Sequence, residues 1–113
     1  MKTHIPQKVK SVEPIISDFK AEIKKLYGEN LMQMVLYGSY ARGNPHDESD
    51  IDLLLVLNKM TSPYRENLFI NEVKSNFSLE HDVYISVVTT TMDLFNTMPN
   101  PLYFNIKKEG IIV

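Results

Sequence analysis

Residues 31–57 read LMQMVLYGSYARGNPHDESDIDLLLVL, two apolar runs separated by a polar segment. The runs Leu31–Tyr37 and Ile51–Leu57 are short and bounded by turn-forming residues, which is typical of buried strands. Asn44-Pro45 marks a turn between them. The connection is too short for a crossover helix of typical length, so the two strands should be antiparallel or joined through one helical turn.

Two amphipathic segments flank these strands. From Ser11 to Tyr27 the apolar residues recur at spacings of three and four, which predicts a helix that Ser11 caps and Gly28 ends. Ser62-Pro63 has the pattern of a helix cap followed by a proline in the first turn, and it predicts the start of a second helix. The buried stripe of that helix is predicted to be Leu68, Ile70, Val73 and Phe77.

A third strand is predicted over Asp82–Val88, which is rich in β-branched and aromatic residues. Because successive strand residues point to opposite faces, Asp82, Tyr84 and Ser86 are predicted to share one face. Asp82 is then expected to open the strand.

A last short helix is predicted from Asn100-Pro101 to about Glu109. The order helix, strand, strand, helix, strand, helix predicts an α/β (α+β) fold, in which a small mixed sheet is covered by helices. With 113 residues, the chain has the size of one ordinary domain, and we expect a single domain over residues 1–113.

The composition excludes several classes of function. The net charge is −2, which does not favour extended nucleic-acid binding or attachment to anionic lipid. No apolar run is long enough to span a bilayer, and the chain start lacks a signal-peptide pattern. The chain has no cysteine, which excludes disulfides and thiolate metal sites. We therefore expect a soluble cytoplasmic protein that does not bind membranes.

The first half of the polar segment has the residues of a phosphate-binding turn. Gly38-Ser39 follows a predicted strand, and its backbone N–H groups could point at an anion at the start of a short helical turn. Arg42, in that turn, is a candidate for binding phosphate. An ion pair between Arg42 and one of the nearby acids is the alternative.

The second half of the polar segment is acidic. Asp50 and Asp52 are predicted to share a strand face a few ångströms apart, where their charges repel, and Asp47 and Glu48 lie just before them. Such acids take up protons, remain in water or share a cation. Because Asp50 and Asp52 lead directly into a core strand, the cation is favoured, and carboxylate oxygens select Mg²⁺ or Mn²⁺.

The two halves together resemble a known signature. GSYARG at 38–43 followed by SDIDLLLV at 49–56 is similar to the motif of nucleotidyltransferases of the DNA polymerase beta superfamily, namely Gly-Ser, a short helical turn and Asp-x-Asp on a strand. The fuller form resembles the minimal nucleotidyltransferase branch, often the antitoxin of a gene pair whose other product is an all-helical HEPN protein. The resemblance covers essentially the whole chain, including its end, NIKKEGIIV at 105–113.

This resemblance implies roles for the residues of the motif. Gly38 and Ser39 would hold a nucleoside triphosphate, with ATP as the expected substrate. Asp50 and Asp52 would be catalytic and would bind the Mg²⁺ ions of a two-metal site, in which both the attacking and the leaving oxygen are stabilised.

In the family, a third carboxylate on a neighbouring strand usually completes the two-metal site and helps to activate the attacking hydroxyl. Asp82 matches this position if it opens the third strand, and it is therefore the third predicted catalytic residue and metal ligand. Glu80 and Asp93 are more distant substitutes.

The activity implied by the resemblance is transfer of AMP from ATP to a hydroxyl. The acceptor it suggests is a tyrosine of a partner HEPN ribonuclease toxin, which this protein would neutralise as its antitoxin, in a possible hetero-oligomer. Two alternatives remain open at this stage. The protein could neutralise the toxin by binding alone, or it could transfer the nucleotide to a small molecule such as an aminoglycoside.

Overall fold

A computed structural model describes residues 1–45 and 50–113. A 3-10 helix, Gln7–Val12, leads into the first α-helix, and a 3-10 turn at Gly28–Asn30 leads into the first strand. The α-helices are α1 (Glu13–Tyr27), α2 (Gly38–Arg42), α3 (Pro63–His81), α4 (Met92–Thr97) and α5 (Pro101–Glu109). The strands are β1 (Leu31–Tyr37), β2 (Ile51–Leu57), β3 (Ile85–Thr91) and β4 (Ile111–Ile112).

The four strands form one mixed sheet in the order β3-β2-β1-β4. β1 is antiparallel to both β2 and β4, while β2 and β3 are parallel. The predicted α/β class and mixed sheet are confirmed, as is the antiparallel pairing of the first two strands. The parallel pair is possible because α3, with 19 residues, supplies a crossover long enough to return the chain to the same end of the sheet.

Both faces of the sheet are buried, which explains the continuous apolar run of β2. Leu53 and its alternate neighbours pack on one face with Phe19 of α1 and Phe77 of α3, whose rings meet edge to face at 5.4 Å. Leu54 packs on the other face with Phe95 of α4 and Ile106 of α5. Because alternate residues of a strand point to opposite faces, a strand buried on both sides needs apolar residues at nearly every position.

The ends of α1 differ in one detail from the sequence prediction. Val12, not Ser11, precedes α1, because Ser11 already belongs to the 3-10 helix, and no side chain caps the helix start. Gly28 ends α1 with a positive φ of 54°, as predicted.

The buried face of α3 differs from the prediction at one residue. Leu68 was wrongly predicted to be buried and is 53% exposed. It lies about 160° around the helix from Ile70, which is buried.

The start of the third strand was also predicted wrongly. α3 continues to His81, and Asp82 ends it in the left-handed conformation with φ 52°, so β3 begins only at Ile85 and continues to Thr91. A left-handed residue after a helix breaks the helical hydrogen-bond pattern and turns the chain, which makes Asp82 part of a turn.

The predicted last helix is confirmed as α5, with Asn100 accepting a hydrogen bond from the backbone N–H of Leu102 at 2.8 Å.

Candidate active site

The two halves of the predicted motif meet at one end of the sheet. The chain leaves β1 at Tyr37, forms α2 and re-enters the sheet at β2, where Asp52 pairs with Tyr37 across the antiparallel ladder. Asp50 comes immediately before β2. The backbone N–H of Ile51 donates to the carbonyl of Tyr84 at 2.8 Å. This hydrogen bond fixes the start of β2 to the residue just before β3.

Gly38 contacts the carboxylate of Asp52. A Cβ placed on Gly38 would collide with Oδ2 of Asp52 and would lie 3.1 Å from its Cγ. Gly38 also has φ +76°, in the left-handed region that side chains rarely adopt. Two features therefore require glycine at position 38, namely its positive φ and the closeness of Asp52. The missing side chain leaves the space that the Asp52 carboxylate fills.

α2 is a short helix of five residues that begins at Gly38. Ser39 lies in its first turn and is half-buried, while Ala41 is buried against the core. Gly43 ends α2 with φ 79°, and the N–H of Asn44 donates to the carbonyl of Ser39 at 3.1 Å. The predicted helical turn after Gly38-Ser39 is therefore present, and packing of Ala41 fixes its position.

Three charged groups act on one another at this end of the sheet. Burial raises the pKa of the Asp52 carboxyl above its ordinary value of 3.8, the charge of Asp50 raises it further, and the charge of Arg42 partly lowers it. Burial and the Asp52 charge also raise the pKa of the Tyr37 phenol. Asp50 and Asp52 thus repel each other as carboxylates, and a cation between them would relieve this repulsion.

The donor set fits a hard divalent cation. Asp50 and Asp52 provide carboxylate oxygens, and Mg²⁺ typically takes one or two carboxylates, with water and substrate phosphate as its other ligands.

Arg42 forms an ion pair, but with a different partner from the one predicted. Its Nη1 lies 3.1 Å from Oε2 of Glu109, at the end of α5, in a pair whose side chains are 51% and 38% exposed. Glu109 was missed by sequence reasoning because it is 67 positions away along the chain. The predicted acids Asp47 and Glu48 lie outside the described residues.

Asp82 does not lie where a ligand from β3 would be. The residue of β3 that pairs with Asp52 is Ser86, four positions further along the chain. Within residues 1–45 and 50–113, no group of three or more acidic or histidine side chains is arranged to hold a metal ion. The catalytic role of Asp82 stays a prediction, and its basis, that Asp82 opens the strand, is wrong.

The glycine-serine turn and the acids Asp50 and Asp52 thus lie together at one end of a mixed sheet. The chain belongs to the nucleotidyltransferase domain family, whose model matches residues 16–113. The predicted family and enzyme class are thereby confirmed.

Individual relatives agree with this assignment. A "Putative protein adenylyltransferase" of Methanocaldococcus jannaschii is 36% identical over 74 residues, 66% of this chain and 74% of the relative. The crystal structure of a "putative nucleotidyltransferase" from Sulfolobus solfataricus has a TM-score of 0.65 at 16% identity, covering 94% of this chain and 82% of that one. A structure described as a toxin-antitoxin with AMP-PNP has a TM-score of 0.60 at 17% identity, covering 84% and 69%. The two structures show the shared fold.

In the described part of the chain, no helix is both long and apolar enough to cross a bilayer.

Proposed function

We propose that this protein transfers AMP from ATP to a hydroxyl of a partner protein and so acts as the antitoxin of a toxin pair. The observation that carries the proposal is the contact between Gly38 and the carboxylate of Asp52. It brings the turn expected to hold the nucleotide next to the acids expected to hold Mg²⁺.

The proposed reaction is a displacement at the α-phosphorus of ATP. The oxygen of the acceptor hydroxyl forms a bond to that phosphorus, and its proton passes to solvent. The bond from the α-phosphorus to the bridging oxygen breaks, and pyrophosphate leaves with the electron pair. Bound Mg²⁺ would supply positive charge that neutralises the phosphate oxygens. The chain then contributes mainly by positioning its substrates, as in other phosphoryl transfers.

Each residue of the site has a proposed part in this reaction. Gly38 leaves room for the Asp52 carboxylate beside the turn that would hold the triphosphate. Ser39 offers a hydroxyl and a backbone N–H. Arg42 would contribute a positive charge to the phosphates. Asp50 and Asp52 would be the carboxylate ligands of Mg²⁺.

A large acceptor can reach the acidic end of the site from the side of β3. A cavity of about 560 Å³ lies between α3 and β3 and reaches Asp50. Its lining includes Leu79 and Tyr84, which are 86% and 72% exposed. An open approach with exposed apolar side chains suits a protein segment, which is the reason to prefer a protein acceptor over a small aminoglycoside.

The identity of the partner is proposed from the relatives. The curated relative from Methanocaldococcus jannaschii is named as an adenylyltransferase acting on protein, and one structure with the same fold is a toxin-antitoxin. The proposed partner is a HEPN-family ribonuclease toxin, and the acceptor is a tyrosine hydroxyl on it. The compartment proposed is the cytoplasm.

The proposal is tested by incubating the protein with α-labelled ATP, Mg²⁺ and the product of the neighbouring gene. We expect label on the partner, and we expect Asp50→Asn to abolish the labelling while the two proteins still form a complex. A partner that is neutralised without being labelled would show that binding alone suffices. Label on an added aminoglycoside, with none on the partner, would instead support the small-molecule acceptor.

The phosphate role of Arg42 can be separated from its ion pair. We expect Arg42→Gln to raise the KM for ATP about tenfold, because one charge-assisted contact is lost. Glu109→Gln removes the same ion pair but leaves the guanidinium, so the KM should not rise. Both should change the free energy of unfolding by less than about 1 kcal/mol, since the pair is largely exposed. Equal KM values in the two variants would show that Arg42 does not bind the phosphates of ATP and has only a structural role.

A further inference from the structure

Two of the six tyrosines have exposed side chains, and these two lie at opposite ends of the sheet. All six belong to the described part of the chain; Tyr84 and Tyr64 are 72% and 71% exposed, and the other four are buried or half-buried. Tyr64 lies in the first turn of α3, which begins beyond the end of β2. Tyr84 comes immediately before β3, at the end of the sheet where β2 begins. Tyr84 is thus the exposed tyrosine at the end that carries the candidate active site.

The backbone fixes Tyr84 beside the start of β2. The hydrogen bond from the N–H of Ile51 to the carbonyl of Tyr84 continues the parallel ladder, in which Ile51 pairs with Ile85. Neighbouring strands lie about 4.8 Å apart. Asp50, the residue before Ile51, is therefore next to Tyr84 across the ladder. Neither residue depends on a long connection for its position relative to the other.

Tyr84 and Asp50 also line the same cavity. This is the cavity of about 560 Å³ between α3 and β3, and Lys74 of α3 lines it as well. The ammonium group of a lysine is a point charge that attracts phosphate. The cavity thus combines a phenol hydroxyl, a carboxylate proposed to hold Mg²⁺ and a positive charge suited to a triphosphate.

We propose that the protein also transfers AMP to its own Tyr84, within one molecule, when no partner is present; this inference rests on the proposed function. The phenol oxygen of Tyr84 forms a bond to the α-phosphorus of ATP, and its proton passes to solvent. The bond from the α-phosphorus to the bridging oxygen breaks, and pyrophosphate leaves with the electron pair. An acceptor held beside the reacting group has an effective concentration far above that of a free hydroxyl. Tyr64 has the same hydroxyl and the same exposure but lies far from the acids, so position selects Tyr84.

The test incubates the whole protein with α-labelled ATP and Mg²⁺ without a partner, and mass spectrometry locates the modified residue. Four proteins are compared: the natural chain, Tyr84→Phe, which removes only a hydroxyl, Tyr64→Phe as the control of equal exposure, and Asp52→Asn. We expect AMP on Tyr84 in the natural chain and in Tyr64→Phe. Labelling should fall at least about tenfold in Tyr84→Phe, because the hydroxyl held at the site is lost, and also in Asp52→Asn. The labelled fraction at a given time should not depend on protein concentration, since the transfer is intramolecular.

Each outcome has a distinct meaning. AMP on Tyr64 or on another residue of the natural chain would overturn the inference, and this mapping decides even if Tyr84→Phe does not fold. A natural chain without label, together with a labelled partner in the assay of the proposed function, would overturn the inference and leave the proposed function standing. No label on either protein would contradict the proposed function as well.

A mixture separates transfer within one molecule from transfer between two. The natural chain is incubated with Asp52→Asn that carries a size tag, so that the two chains are resolved on a gel. We expect label on the natural chain only, because Asp52→Asn keeps Tyr84 but lacks a complete site of its own. Label on the tagged Asp52→Asn chain would show transfer between molecules and would overturn the intramolecular step.

Discussion

Replacing Asp52 by asparagine is expected to reduce transfer of AMP about 1000-fold. The substitution keeps the size of the side chain but removes a charge from the pair Asp50 and Asp52. A metal ion on a phosphoryl group contributes several kcal/mol of charge stabilisation in the transition state, and each 1.36 kcal/mol is a factor of ten in rate. The rate of label transfer to the partner, measured at saturating ATP, checks this expectation.

The same variant should be more stable than the natural protein at pH 7. The fold raises the pKa of Asp52, so the folded state favours the protonated form. The stability that this group contributes is fully present below its unfolded pKa and is lost as the pH rises through the folded pKa. Asparagine is always neutral, so the melting temperature should rise at pH 7 and match that of the natural protein near pH 3. A lower melting temperature at pH 7 would contradict the repulsion between the two acids.

Asp82→Asn makes the same chemical change at the third predicted catalytic residue and tests its role. Asp82 is exposed, ends α3 with φ 52° and precedes β3 by three residues. Asparagine tolerates this left-handed conformation, so the fold should not change. If Asp82 is the third carboxylate of the site, the rate of transfer should fall as it does in Asp52→Asn. A rate within about twofold of that of the natural protein would remove Asp82 from the site.

Replacing Gly38 by alanine is expected to reduce transfer at least 100-fold without unfolding the protein. The new methyl group would collide with Oδ2 of Asp52, and the end of that side chain is the part that can move away. The carboxylate would then leave its position at the metal site. A misplacement of about 1 Å in a catalytic group can cost 100-fold in rate.

Gly28→Ala separates this collision from backbone strain. Gly28 also has a positive φ, of 54°, but a Cβ there meets nothing within 4 Å. Both variants should therefore lose about 1–3 kcal/mol of unfolding free energy, because a side chain is strained at a positive φ. Only Gly38→Ala should lose activity, and equal activities in the two variants would contradict the importance of the contact with Asp52. Urea denaturation and the labelling assay together measure both effects.

Local residue patterns predicted most elements of the fold. The apolar run of β2 indicated a buried strand, and the short segment after β1 indicated an antiparallel pair or a single helical turn. These predictions succeeded because strand burial and connection length depend on neighbouring residues. The prediction that Leu68 is buried was wrong, because its exposure depends on which face of α3 the core covers and not on its sequence neighbours.

The candidate site was predicted only in part. Gly38, Ser39, Asp50 and Asp52 lie in one segment, and the resemblance of that segment to the nucleotidyltransferase motif implied that they form one site. Which residue of β3 lies beside Asp52 depends on where α3 ends, and the left-handed turn at Asp82 moves the strand start by three residues. A strand-start signal in the sequence could not show this shift, because Asp82 suits a turn as well as a strand end.

The sequence by itself determined the fold class, the helical turn after Gly38-Ser39 and the acidic start of β2, because each depends on residues close together in the chain. The tertiary structure alone decided that Ser86 pairs with Asp52 and that Glu109 pairs with Arg42. These neighbours are 34 and 67 positions apart and are set by strand register and by the packing of α5. Register and packing are properties of the whole sheet and its helices, so no local pattern specifies them.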